Sequence, residues 1–172
     1  MIKLDKHLKN ETVKLIDKEG VTRNGRKVVV STTFNTDITD IWQRVQNVST
    51  LTEICKPIAK FSPCNGIMPK IWDIGKKYTF KFYLHGIIPM GIHTICIESM
   101  DENKHEIQSR KYNTFVPVWN HLVRMETINK NTVRYTDEID IYANNGLTGL
   151  IAWWTVHFYK HRQKKWHLLL NK

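Results

Sequence analysis

The chain has 172 residues, of which 41% are hydrophobic and 24% charged. That is enough for one domain with a buried core that needs neither disulfides nor metal. Its formal charge of +10 favours anionic partners such as nucleic acid, acidic lipid headgroups or an acidic protein. The longest apolar run, 147–159, is interrupted by Thr148, Thr155 and His157 and is too short to span a bilayer, and residues 1–14 carry charge throughout, without the apolar segment of a signal peptide.

Cys55, Cys64 and Cys96 leave an odd thiol and form no CxxC pair, so a reduced, cytoplasmic setting is expected. No repeat or Pro/Gly-rich linker divides the chain, which is expected to be a single domain over 1–172. Residues 1–24 are polar and weakly patterned, a lead-in of low specification.

Residues 27–34 (KVVVSTTF) are rich in β-branched side chains and predict a strand, preceded by a basic group of Arg23, Arg26 and Lys27. A helix follows, capped by Asn35 or Thr36. Asp37 and Asp40 suit its positive end, and Ile38, Ile41, Trp42 and Val45 share one face. Thr50 and Glu53 have capping-box spacing ahead of Ile54, and Pro57 closes this second short helix.

Alternation with a period of two then takes over. Tyr78, Phe80, Phe82 and Leu84 fall on one strand face, 86–91 (GIIPMG) turns the chain, and His93, Ile95 and Ile97 alternate on the next strand. A turn at 101–104 leads to a strand over 106–110. Two long strands, about 118–128 and 132–143, are joined through Asn129, Lys130 and Asn131. Their connections are too short for helical crossovers, so the sheet is antiparallel. Beyond Gly146, Leu147, Leu150, Ile151, Trp154 and Phe158 recur at helical spacing, and the helix runs to about Leu170.

This order, carried by 26–33 (RKVVVSTT), 72–75 (WDIG), 86–93 (GIIPMGIH), 119–121 (WNH), 135–141 (YTDEIDI) and 158–166 (FYKHRQKKW), resembles the helix-grip fold of the START-like (SRPBCC) superfamily, and within it an uncharacterised bacterial ligand-binding subgroup. The superfamily includes the birch pollen allergen and the polyketide cyclase-like proteins. The resemblance implies an α+β fold: a curved antiparallel β-sheet wrapped around a long C-terminal α-helix, with two short helices after the first strand. It also implies an internal apolar cavity and no cofactor. The ligands it implies are lipid-, polyketide- or quinone-like.

On the last two strands, Trp119, His121, Val123 and Met125 share one face, as do Tyr135, Asp137, Ile139 and Ile141. A three-residue turn sets Val123 opposite Asp137 and His121 diagonal to it, on the apolar face. A histidine beside a carboxylate is either an acid/base pair or two buried groups that satisfy and orient one another. His93 stands among apolar neighbours as a core group or ligand contact. His157 and His161 have the i, i+4 spacing of metal ligands, but no acid stands beside them on the helix and no metal is assigned.

The leading expectation is a non-enzymatic carrier of a small hydrophobic molecule. Phe80, Phe82, Ile95, Trp119, Ile139, Trp154 and Phe158 would line its cavity, and His93, His121, Tyr135 and Asp137 would orient the ligand. One alternative is a cyclase- or dehydratase-type enzyme using His121 and Asp137. Another is a cytoplasmic protein peripheral to a membrane, with a basic surface of Lys160, Arg162, Lys164 and Lys165 on anionic lipid and nucleic acid the less favoured partner. Trp153 and Tyr159 fall off the helix's apolar stripe and are expected at the surface.

Overall fold

The computed structural model describes residues 9–171. Its elements run β1 (Lys9–Ile16), β2 (Thr22–Phe34), α1 (Ile38–Val45), α2 (Val48–Cys55), β3 (Ala59–Pro63), β4 (Lys77–Leu84), β5 (Ile88–Asp101), β6 (Glu106–Tyr112), β7 (Val118–Asn129), β8 (Thr132–Tyr142) and α3 (Thr148–Leu170). All eight strands form one antiparallel sheet, ordered β1-β2-β8-β7-β6-β5-β4-β3. The sheet curls around α3, which packs on β2, β8 and α2. This is the helix-grip arrangement.

The lead-in is more ordered than its composition predicts. Residues 1–8 lie outside the described residues, but β1 pairs with β2 through Val13 opposite Gly25. β1 is an edge strand that buries little besides Leu15, so its apolar signal is weak. Asp17 closes the hairpin, accepting from the Glu19 and Val21 amides and from Arg23 at 2.8 Å. The strand predicted from Lys27 therefore begins at Thr22. Its basic group lies within it, with Lys27 3.3 Å from Asp140.

Both predicted helices exist, with different starts. Asp37, not Asn35 or Thr36, caps α1, its Oδ1 accepting from the Thr39 amide at 2.7 Å. The expected capping box fails because Thr50 lies inside α2. The chain re-enters helix at Val48, whose amide, one of those left free at the helix start, donates to the Lys70 carbonyl. β3 escaped the sequence reading because it is a five-residue edge strand ending in Pro63. The turn placed over 86–91 is tighter: the strand resumes at Ile88, and β4 and β5 shift register between Lys81 and Tyr83. Cys55 is buried, Cys64 exposed and Cys96 half-buried, all as free thiols.

The core gathers Val28, Val30 and Phe34 of β2, Ile41 and Trp42 of α1, Ile139 and Ile141 of β8, and Phe158, Tyr159 and Trp166 of α3. Its apolar interior is discontinuous. Between the sheet's inner face and the first half of α3 the packing opens into a cavity.

Candidate ligand cavity

The β7–β8 register places Val123 opposite Asp137, as the three-residue turn predicts. His121 Nε2 lies 2.8 Å from Asp137 Oδ1, with both side chains almost wholly buried. Burial would push the Asp137 carboxyl up. The His121 hydrogen bond, the Arg162 charge and a bond from Gln163 outweigh it and hold the carboxyl below its ordinary range. His121 goes the other way: burial, then the charge of Lys111, push it down to about 3, so the imidazole is neutral. With Asp137 ionised, Nε2–H donates to the carboxylate and Nδ1 is left as an acceptor. Lys111 Nζ, 2.9 Å away, donates to it.

The result is a chain from half-buried Lys111 through buried His121 to buried Asp137, extended by Gln163, whose amide donates to Asp137 Oδ2 at 3.1 Å and to the Val30 carbonyl at 2.8 Å. Burial and the nearby Arg162 charge lower Lys111 to about 7, so its amine gains or loses a proton near neutrality. Arg162 remains charged at every relevant pH.

The cavity has a volume of about 310 Å³. Phe61, Phe82, Trp119, Trp154 and Phe158 supply its aromatic walls, and Leu150 and Trp153 of α3 stand at its exposed margin. The rings pack against one another: Phe61 stacks on Phe82, Trp154 on Phe158, and Trp119 donates its indole N–H to the Tyr159 hydroxyl. Lys111 and Arg162 line both this cavity and a recess of about 50 Å³ that reaches His121 and Trp166.

Of the residues predicted to form the site, Phe82, His93, Ile95, Trp119, Trp154 and Phe158 line the main cavity. His121 faces only the recess, with Asp137 behind it. Phe80, Tyr135 and Ile139 do not line it. They are closed into the core: Tyr135 lies between Phe34 and Trp166 where the curled sheet presses β8 against the second half of α3, and Phe80 of β4 packs edge-on to Phe61. His93 is buried and neutral, pushed down to about 3 by burial and then by the Lys111 charge, and its Nδ1 has no hydrogen-bond partner. Both ring nitrogens of His121 are engaged, so it is Lys111 that presents the chain to the cavity.

Two expectations for α3 need correction. Arg162 is 5% exposed and does not belong to the surface patch, which keeps exposed Lys164 and half-buried Lys160 and Lys165. Tyr159 is buried at 1%, whereas Trp153 is exposed. His157 and His161 donate to the backbone carbonyls of Trp153 and Lys56, and no group of three His, Cys, Asp or Glu gathers among the described residues. No described helix is long and apolar enough to cross a membrane.

No family model matches the chain, and no curated protein does. Solved structures do. A START superfamily protein from Mycobacterium smegmatis superposes with a TM-score of 0.64 at 9% identity, covering 84% of this chain and 97% of that one. The protein Ms6760 from the same organism gives 0.62 at 14% identity, covering 93% and 97%. Ginseng major latex-like protein 151 from Panax ginseng gives 0.61 at 12% identity, covering 84% and 96%.

Proposed function

On the START-like helix-grip fold that this chain adopts, we propose that the protein binds and carries a small, largely apolar molecule in the cavity between the sheet and α3. The observation that carries the reading is the cavity itself: about 310 Å³ walled chiefly by aromatic and aliphatic side chains. Each apolar Å² a ligand withdraws from water there contributes on the order of 25 cal/mol. The polar groups are few and grouped at the inner end, an arrangement that orients a ligand without solvating it. The enzymatic alternative through His121 and Asp137 has less support, since the imidazole has no free nitrogen to offer a substrate.

Native mass spectrometry of the purified protein, followed by denaturing extraction, tests this reading. A mass increment released on denaturation and identified as an apolar molecule is the expected result. A protein that is empty on purification and takes up no hydrophobic probe would contradict it.

A further inference from the structure

Two cations stand in the inner wall of the cavity, and its walls contain no Asp or Glu. Arg162 is buried, and its Nε has no hydrogen-bond partner. Its guanidinium carbon lies 4.6 Å from the centre of the Tyr159 ring and 5.9 Å from that of Phe158. No described carboxylate lies within ion-pair distance of it. Asp137 contributes its charge from behind the wall, but its two oxygens are taken by His121 and Gln163. A buried guanidinium with an unsatisfied Nε–H is costly to maintain, and an incoming acceptor relieves that cost. Lys111, on β6, borders the same space from the sheet side.

We infer that the ligand is a monoanionic amphiphile, a carboxylic acid with a medium-length or aromatic apolar body, whose carboxylate is held between Arg162 and Lys111. The inference rests on the binding function proposed above and names the class of molecule. Counting charges favours one negative charge over two. Arg162 and Asp137 cancel, so a carboxylate that draws a proton onto Lys111 leaves two positive and two negative charges, whereas a dianionic phosphate would leave an excess. The aromatic walls of Phe61, Phe82, Trp119 and Trp154 suit the apolar body. The cavity volume corresponds to about ten water-sized groups, which matches a ten-carbon chain better than a phospholipid.

Lys111 faces His121 of β7, Asp137 of β8, Arg162 and Tyr159 of α3, Cys55 of α2 and His93 of β5. Within that set only Lys111 changes charge near neutral pH. Carboxylate binding therefore stabilises the protonated amine, and affinity declines as pH rises through about 7.

Decanoate, 1-decanol and decylamine, titrated separately and followed through the fluorescence of Trp119 and Trp154, provide the test. Decanoate should bind at least about tenfold more tightly than decanol, with decylamine weakest. The decanoate affinity should fall between about pH 7 and pH 9 while that of decanol stays level. Lys111→Met should shrink the preference for decanoate over decanol and flatten its pH dependence, and Arg162→Gln should abolish the preference. If Arg162→Gln fails to fold, Lys111→Met and the wild-type pH series still decide the matter. Decanol or decylamine binding as tightly as decanoate would overturn the anionic ligand and leave the apolar carrier standing. Binding of none of the three would overturn both.

Discussion

His121 Nε2 and Asp137 Oδ1 lie 2.8 Å apart on neighbouring strands, diagonal to one another and two residues off a directly opposed pair. Through Nδ1 the same imidazole reaches Lys111, so a single buried ring joins a fixed anion in the core to a titratable cation in the cavity wall. The pair orders the inner end of the cavity.

Replacing Asp137 by Asn should be expensive. The new amide can still accept from His121, but its NH₂ then meets the Gln163 NH₂, donor against donor, and Arg162 loses its nearest negative charge. Urea unfolding should show a loss of about 3 kcal/mol for Asp137→Asn and a smaller one for His121→Gln, which keeps the anion in place.

The ligand-free protein should gain stability as pH rises. Folded His93 and His121 titrate near 3, and folded Lys111 near 7, all below their unfolded values. Between about pH 3 and 6.5 for the histidines, and between about pH 7 and 10.5 for the lysine, the unfolded chain holds more protons than the folded one, so stability falls as pH is lowered through either window. The depressed carboxyl of Asp137 acts in the same sense in acid, its stabilisation being present above the unfolded value and lost as pH falls through the folded one. Thermal melts across pH should show this slope, and Lys111→Met should remove the alkaline part and, by taking away a charge that depresses His93 and His121, weaken the acid part.

Gly25 of β2 sits against β1 and β8. A Cβ built there would lie 2.7 Å from the Ile141 carbonyl oxygen and would also collide with the Leu15 side chain. The side chain of Leu15 can move, but the Ile141 carbonyl belongs to the neighbouring strand β8. Gly25→Ala should cost about 2 kcal/mol in urea unfolding, through displacement of the edge hairpin.

Half-buried Ile151 of α3 faces the cavity. Ile151→Trp adds bulk into open space, so the overpacking penalty should stay below about 2 kcal/mol and unfolding should remain cooperative. Binding of an apolar probe should nevertheless be lost. Retained affinity would mean that the ligand sits elsewhere.

The sequence showed the fold's long, regular parts because period-two alternation over 118–128 and 132–143 leaves little freedom in register, and that register carried His121 to Asp137. The other half of the polar group was harder to see. Lys111 follows Arg110 at the end of a short strand, where a lysine ordinarily faces solvent. Arg162 stands in a basic run that reads as surface. The signal that could have found it is helix phase: Phe158, Arg162 and Trp166 recur every four residues, and all three are buried. β1 was missed for the opposite reason, since an edge strand needs few apolar residues to hold its place.

The central claim, that an apolar molecule occupies this cavity, is tested most directly by following the tryptophan indole N–H signals by NMR as 1-decanol or decanoate is added. Trp119 and Trp154 line the cavity, whereas Trp42 packs beneath α1 against His105. Saturable shifts at Trp119 and Trp154 with Trp42 unmoved are the predicted result. Shifts confined to exposed Trp153, or none with either compound, would contradict it.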